Sequence, residues 1–226
     1  MKKKLFLMCV LFTAIVVPFY GQNSREYIRN SINNWGECKN VAITKTNGDV
    51  ALYGKNGYSC SCVPSGLKES LSELRQDGEL IDDVQLTENG KWLILYGNNG
   101  IVYNNIPYQL EEKLKEYNEN NEVITSVTFN DSGDWIVIST KRFCASDSRI
   151  STWLEDGLEE FGQLWAVCLT DDAMAAVYEK GYKFFGNVPE DLKQKLKNSG
   201  LDVFRLKIAG SSWFFANKNG IYYYNM

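Results

Sequence analysis

Histidine is absent from the 226 residues of the chain. Its absence excludes Ser-His-Asp and Cys-His catalysis, histidine-ligated zinc or haem, and a histidine general base. Proline and cysteine are scarce, with four and six residues. Six cysteines are too few for a disulfide-built scaffold of this length, so a hydrophobic core must stabilise the fold.

The composition is otherwise that of a globular protein. Hydrophobic residues make up 44% of the chain and charged residues 23%, which is too apolar for an intrinsically disordered chain. The formal net charge is −4, and the 24 basic residues form no cluster after the first four positions. This charge distribution argues against nucleic acid or anionic lipid as a partner.

The N-terminus has the layout of a secretory signal peptide. Three lysines at positions 2–4 precede an apolar run over 5–20 and a small, polar stretch over 21–24. We predict cleavage after Gly21, with an uncleaved anchor as the alternative because Phe19 is bulky for a small-x-small site. The expected product is an exported monomer of residues 22–226, periplasmic or secreted, a single domain with no membrane insertion. Losing three lysines and no acid changes its net charge to −7.

The exported chain would keep an odd number of cysteines: Cys38, Cys60, Cys62, Cys144 and Cys168. Two disulfides and one free thiol are therefore permitted in an oxidising compartment. Cys144 could pair with Cys168, and Cys38 with Cys60 or Cys62. The spacing of Cys60 and Cys62 is not that of a zinc site, and we expect neither a metal nor a cofactor.

The strongest signal is an internal repeat. Trp92 and Trp135 are 43 residues apart, as are Pro64 and Pro107, and Pro189 follows Pro107 by 82 residues. The 205 residues left after cleavage correspond to five units of 41. A repeat of this period is typical of propellers and solenoids.

Each unit has the same predicted elements. In the unit from residue 81, an alternating strand, a Glu-Asn-Gly turn and a continuously apolar strand over 92–96 are followed by a Gly-Asn-Asn-Gly hairpin and a third strand over 101–104. Pro107 then begins a helix, with apolar residues three, seven and ten positions later. The same spacing recurs after Pro64 and, without a proline, at Leu154.

The fifth unit ends at Met226 without a helix, while Ile28, Ile32 and Trp35 at the front have the helical spacing. We therefore predict an α+β fold in which five units form a closed pseudo-symmetric ring and the N-terminal helix completes the last unit. Counted from the second strand, each unit reads strand–strand–helix–strand. A five-bladed β-propeller with peripheral helices is the alternative.

The repeat, a Trp-then-apolar strand, a Tyr-Gly-x-Asn-Gly turn and an Ile/Val-Pro-x-x-Leu helix, resembles the tandem repeats of uncharacterised secreted bacterial proteins. Its five-fold topology is similar to that of the pentein (α/β-propeller) fold. Pentein enzymes act on guanidino groups with a cysteine and a histidine. The resemblance offers Cys60, Cys62 or Cys144 as nucleophile, but without histidine the noncatalytic branch is the better analogy.

Acidic residues are the other candidates for catalysis. Asp82 with Asp83, Asp131 with Asp134, and Asp171 with Asp172 lie at strand starts or turns. Such pairs could hydrolyse glycosides or contact calcium weakly, but Asp and Asn are expected in turns for local hydrogen bonding.

The third strands carry aromatic and amide side chains that a ring would repeat around one axis or rim. Such groups could bind a sugar or a peptide, or could fill the core and hold the turn into the helix. The candidate binding residues are Tyr103, Asn105, Phe185, Asn187, Tyr223 and Asn225.

These observations predict a noncatalytic exported interaction module for a protein or glycan ligand. The alternatives are a carboxylate-dependent glycan hydrolase and a structural component of the cell envelope.

Overall fold

The structure, a computed structural model, describes residues 24–226. The predicted signal peptide and its cleavage site lie outside the described residues. In chain order the elements are α1 (Ser24–Trp35), β1 (Asn40–Ala42), β2 (Asp49–Tyr53), β3 (Gly57–Ser61), α2 (Ser65–Gln76), β4 (Ile81–Leu86), β5 (Trp92–Tyr96), β6 (Gly100–Asn104), α3 (Tyr108–Glu119), β7 (Ile124–Phe129), β8 (Trp135–Ser139), β9 (Phe143–Ala145), α4 (Ser148–Phe161), β10 (Leu164–Leu169), β11 (Ala173–Tyr178), β12 (Tyr182–Gly186), α5 (Glu190–Ser199), β13 (Arg205–Ala209), β14 (Ser212–Ala216) and β15 (Tyr222–Asn225).

The strands form five three-stranded antiparallel sheets, β1–β2–β3, β4–β5–β6, β7–β8–β9, β10–β11–β12 and β13–β14–β15. The predicted α+β class and five-unit repeat are therefore confirmed. The elements follow one another in the predicted order. The predicted strand–strand–helix–strand unit is not one sheet, however, because the strand after each helix is the first strand of the next sheet. Short turns join all three strands of a sheet, so they pair locally and the helix separates one sheet from the next.

The middle strand of each sheet is buried along most of its length. In β5, four of five residues are buried, and in β8 and β11 every residue is. A middle strand has hydrogen-bonding partners at both edges and apolar neighbours on both faces, which explains its continuous hydrophobic sequence. The predicted burial of the strand over 92–96 is confirmed.

Proline marks the start of three helices, as the repeat predicted. Pro64, Pro107 and Pro189 each immediately precede a helix, and their carbonyl oxygens accept hydrogen bonds from the N–H four residues later at 3.1–3.2 Å. In α4, which has no such proline, the Asp147 carboxylate instead accepts a hydrogen bond at 2.6 Å from the N–H of Arg149. Both solutions suit a helix start, where backbone N–H groups have no intrahelical partner.

Each of α2–α5 packs against the sheet before it and the sheet after it. The apolar face of α2, for example, is formed by Leu67, Leu71 and Leu74 and contacts Leu52 on β2 and Ile94 on β5. The corresponding clusters of the other three helices have the same composition. The predicted helical faces are therefore the ones buried.

Helix α1, the first element of the described chain, packs against the last sheet as well as the first. Its Ile28 and Ile32 are fully buried in a cluster that includes Ala51 of the first sheet and Phe214 of the last. The helix also hydrogen-bonds the last residues directly, from Arg29 to the Met226 carbonyl at 3.1 Å and from Tyr224 to Asn33 at 2.9 Å. Helix α1 thus packs against residues of both the first and the last sheet.

No helix in the described part of the chain is long and apolar enough to cross a membrane.

The five described cysteines are free thiols, and none of the predicted disulfides is formed. Four of them belong to four different hydrophobic clusters, which explains why they do not pair: Cys38 packs with α1, Cys60 with α2, Cys144 with α3 and Cys168 with α5. Cys62 is exposed in the turn before α2.

Candidate functional site

The first strands of the five sheets, β1, β4, β7, β10 and β13, contact one another in succession, and β13 also contacts β1. The N-terminal ends of these five strands surround an open cavity of about 450 Å³, which we call the strand-end cavity. Each sheet contributes to its lining through residues at or beside the start of its first strand: Lys39, Asp82, Thr125, Trp165 and Arg205.

Three cations line the strand-end cavity: Lys39, Arg205 and Lys218. None of them makes an ion pair within residues 24–226. Asp82 is the one acidic residue of the lining. The cavity therefore has an excess of positive charge in a chain whose net charge is negative.

Two aromatic rings form part of the same wall. Trp165 and Phe204 stack with their centroids 4.9 Å apart, and the Lys218 ammonium lies 4.0 Å from the Phe204 centroid. Offset stacking and the cation–π contact each favour this arrangement, so the stack holds the Lys218 ammonium at the cavity.

Partial burial changes the acidity of two groups in the cavity. Desolvation lowers the pKa of Lys39 to about 8, an effect that the nearby Asp82 opposes. Desolvation also raises the pKa of Asp82, against the influence of Lys39 and Arg205. In both groups burial destabilises the charged form, and an ion placed in the cavity would interact in a medium of low polarity.

A buried polar network links three of the first strands. The Asp83 carboxylate on β4 accepts hydrogen bonds from Lys207 Nζ of β13 at 2.8 Å and from Asn40 Nδ2 of β1 at 2.7 Å. The side chain of Asp83 is fully buried and that of Lys207 is 8% exposed. Because an isolated buried charge is costly, this pair fixes how these strands lie beside one another.

Four of the six predicted binding residues lie on the third strands of three sheets, and Asn105 and Asn187 lie in the turns that follow β6 and β12. Tyr103, Phe185 and Tyr223 are on the third strands β6, β12 and β15. Phe185, which is 64% exposed, lines a groove that also contains Trp153. None of the six residues lines the strand-end cavity. The structure therefore does not bring these residues together in that cavity.

The aromatic members of this set other than Phe185 have partners within the fold. A hydrogen bond with Glu111 raises the pKa of Tyr103. The ring of Tyr223 is covered by the Lys195 ammonium at 3.9 Å from its centroid.

The three asparagines stabilise local structure. Asn105 has a left-handed φ of 58° in the turn before α3, a conformation that asparagine tolerates. Asn187 donates to the Asp172 carboxylate at 3.4 Å, and Asn225 donates to Asp191 at 2.9 Å. Holding the turn into a helix, the alternative role considered from sequence, agrees with these contacts.

The turn carboxylates bind the neighbouring unit. Glu88 accepts a hydrogen bond from the backbone N–H of Lys45 at 2.6 Å, and Asp131 accepts one from Thr87 Oγ1 at 2.6 Å. Asp171 accepts from the Ser132 N–H at 3.0 Å. The sequence predicted bonds within each turn, whereas these bonds run from one turn to the turn of the preceding unit.

Acidic residues also line the groove beside Phe185, where two of them have lowered pKa values. Hydrogen bonds from Arg149 lower the pKa of Asp147. Burial acts to raise the pKa of Asp172, but hydrogen bonds from Asn187 and Thr170 outweigh it, so the net shift is downward. These two carboxylates are stabilised in their ionised form, which is unsuitable for a general acid.

Cys60 is one of the thiols that the pentein resemblance suggests as nucleophile. Burial raises its pKa, an effect that the nearby Lys68 only partly opposes. Burial also raises the pKa of Cys38 to about 12 and that of Cys168 to about 11. A raised pKa keeps the thiol protonated and weakly nucleophilic.

No protein-family model matches this chain, and no curated protein sequence matches it significantly. Within residues 24–226, no group of three or more cysteine and acidic side chains is arranged to hold a metal ion.

Apart from Asp82, which the sequence offered as a candidate acid, the charged residues of the strand-end cavity were missed by sequence reasoning. Lys39 and Arg205 lie 166 positions apart, and neither belongs to a basic cluster in the sequence. The signal that could have found them is positional, because both precede or begin the first strand of a unit. In the other units that position is occupied by other residue types, such as Thr125 and Trp165. The repeat pattern therefore did not predict a group of positive charges.

Proposed function

We propose that this protein is a noncatalytic, exported binding module whose five sheets close into a ring, with the ligand site at the strand-end cavity. The observation that carries the proposal is the open cavity of about 450 Å³, lined from all five sheets by aromatic, cationic and neutral polar side chains. Small-ligand sites in proteins are concave, have volumes of this order, and combine apolar walls with a few polar groups.

Ring closure is supported by contacts between the first and last sheets. Strand β1 contacts β13, and α1 packs against both sheets through the cluster around Ile28 and Phe214. Closure would let α1 bury its apolar face between the first and last sheets, as α2–α5 bury theirs between consecutive sheets. Because every sheet is an antiparallel meander, a five-bladed propeller with helices between its blades describes the ring better than a pentein arrangement.

Binding is favoured over hydrolysis by the distribution of carboxylates. A carboxylate-dependent glycosidase places two carboxyl groups in one site and raises the pKa of the one that acts as acid. Asp82 has a raised pKa but is the one acid lining the strand-end cavity, and the groove acids Asp147 and Asp172 have lowered pKa values. The proposal therefore assigns a binding role and no reaction.

The proposal is tested by blocking the cavity. Glycan and peptide arrays are probed with the purified protein, and each ligand found is titrated by calorimetry. Thr140 lies exposed in the lining of the cavity, so Thr140→Trp would fill its opening without burying a polar group. We expect this variant to lose measurable binding.

The matched control is Thr152→Trp, because Thr152 is equally exposed but lies on α4, away from the cavity. Circular dichroism and thermal unfolding establish that both variants are folded. Retained binding by a folded Thr140→Trp protein, or an absence of binding to either array by the original protein, would contradict the proposal.

A further inference from the structure

We infer that the strand-end cavity binds an acidic sugar, a carboxylate-bearing saccharide of one to three rings. This inference rests on the proposed function and goes further by naming the chemical class of the ligand. The cavity offers three features that such a ligand needs together: cations without an ion pair for the carboxylate, an aromatic ring for the apolar face of a sugar ring, and neutral polar groups for the hydroxyls.

The cations supply the anion selectivity. Lys39, Arg205 and Lys218 line one cavity, none makes an ion pair in residues 24–226, and Asp82 offsets only one of the three charges. The stack of Trp165, Phe204 and Lys218 fixes one ammonium in place. Arg205 uses one of its donors on the Phe204 carbonyl at 2.9 Å, which orients its guanidinium beside the stack. Cations held in a concave site of low polarity attract an anion more strongly than cations spread over a surface.

The uncharged part of the lining indicates a sugar. Thr140 and Gln163 are exposed in the lining, and Asn217 adds its amide Nδ2, since its Oδ1 already accepts two backbone N–H groups. Hydroxyl and amide groups both donate and accept hydrogen bonds, as sugar hydroxyls do. The Trp165 ring provides an apolar surface against which a pyranose ring can lie, whereas the faces of Phe204 are occupied by Trp165 and the Lys218 ammonium.

A peptide is the less suitable ligand for this site. Extended peptides usually bind along an exposed strand edge, a helix-binding groove or a row of aromatic residues. The strand-end cavity is instead a hollow at the ends of five strands that contact one another in succession, so strand ends rather than a strand edge line it. Its volume of about 450 Å³ suits a short saccharide rather than a chain that must continue beyond it.

The test compares two probes that share the same sugar rings, trigalacturonate and its fully methyl-esterified form, which has no charge and carries one added methyl group per ring. Isothermal titration calorimetry with the purified protein should give a dissociation constant about tenfold lower for the acid than for the ester, and raising the salt concentration should narrow the difference. Arg205→Gln and Lys218→Gln should each weaken binding of the acid by about three- to tenfold, with little effect on the ester.

Lys180→Gln is the matched control, because Lys180 is exposed and does not line the cavity. It should leave both dissociation constants unchanged. The folding of each variant is checked by thermal unfolding, and inorganic phosphate is titrated to detect a site for any small anion.

The outcomes separate the two levels of the proposal. Equal binding of acid and ester, lost in Thr140→Trp, would overturn the acidic-sugar inference and support the binding module. Binding of phosphate as tight as that of trigalacturonate would also overturn the inference, because it would reveal an anion site without sugar recognition. If neither sugar binds but a peptide does, and Thr140→Trp abolishes that binding, the ligand class would be a peptide and the acidic-sugar inference would be overturned. Failure of every probe and array would overturn both.

Discussion

Asp83 and Lys207 are opposite charges that are almost completely removed from solvent, with 2.8 Å between Oδ1 and Nζ. They belong to β4 and β13, whose positions in the sequence are 124 residues apart. Asn40 of β1 donates to the same carboxylate. Removing the charge of Asp83 or of Lys207 would leave the other charge buried without a partner. The loss of stability should therefore exceed the free energy contributed by the ion pair itself.

We therefore expect Asp83→Ala to lower the free energy of unfolding by about 3–5 kcal/mol, measured by urea denaturation. The double variant Asp83→Leu/Lys207→Met, which buries no charge, should recover most of that loss. Lys193→Ala, which breaks a pair with Glu190 at the surface, should change the stability by less than about 1 kcal/mol. A double variant as unstable as Asp83→Ala would show that the ion pair is not the cause.

Lys39 gives the strand-end cavity a predicted pH dependence. Burial lowers the pKa of Lys39 to about 8. As the pH rises, Lys39 therefore loses its proton at a lower pH in the folded protein than in the unfolded chain. The charged groups around it are Asp82, Glu37, Arg205 and Cys38. Burial raises the pKa of Cys38 to about 12, well above that of Lys39.

Affinity for trigalacturonate should consequently be highest below about pH 8 and fall as the pH rises through that value, because the ammonium that attracts the carboxylate is lost. The opposite sign applies to folding. Between about pH 8 and the ordinary lysine pKa the unfolded chain binds more protons, so Lys39 should make the free energy of unfolding rise with pH.

Calorimetric titrations between pH 7 and 9.5 check the binding prediction. Lys39→Arg keeps its charge throughout this range and should flatten the profile. An unchanged decline in Lys39→Arg would assign the titration to another group, such as the terminal amine.

Two helices contain glycines whose surroundings differ sharply. A Cβ at Gly66 of α2 would meet Trp92 Cζ2 at 3.5 Å, an ordinary contact. A Cβ at Gly157 of α4 would overlap the ring of Tyr178, whose hydroxyl donates to the Leu154 carbonyl at 3.1 Å. The glycine in α4 is therefore required by close packing, whereas that in α2 is not.

Alanine at these two positions should have opposite effects. Gly66→Ala should raise the free energy of unfolding by up to about 1 kcal/mol through the better helix propensity of alanine. Gly157→Ala should lower the free energy of unfolding by about 1–3 kcal/mol, because the energetic cost of the overlap with Tyr178 exceeds the gain in helix propensity. Urea denaturation of the two single variants provides the comparison. Stabilisation by both substitutions would mean that α4 can move away from β11 at little cost.

The elements were predictable from sequence because their signals are local. Pro107 and the apolar residues after it, Leu110, Leu114 and Tyr117, define the start and the buried face of α3 within eleven residues. Which three strands form one sheet was harder to predict, because the order of the elements does not show which strand begins a sheet. The cavity could not be predicted, because Lys39, Arg205 and Lys218 come together only through tertiary structure.

At the scale of the whole molecule, the contacts between α1 and the last strand predict tolerance of circular permutation. Met226 accepts a hydrogen bond from Arg29, which lies about 7.5 Å along the helix axis from Ser24. A short Gly/Ser linker can therefore join residue 226 to residue 24. New termini in the loop between α2 and β4, at 77–80, would leave every sheet intact.

This permutant should fold and unfold in one cooperative transition, with a midpoint close to that of the original chain in thermal denaturation. The comparison variant has new termini between β4 and β5, at 88–90, where the cut would interrupt a sheet and should lower the midpoint. Equal loss of stability in both would argue against closure of the ring by α1.

The position of α1 also sets an order in time. Its buried face, with Ile28 and Ile32, is covered in part by Tyr222, Tyr224 and Met226. A chain that emerges from a ribosome or a translocation channel with its N-terminus first holds α1 without these partners until the last residues have appeared. The packing of α1 is therefore completed only after residues 222–226 have emerged, and until then the apolar face of α1 is open to a chaperone or to another copy of the same chain.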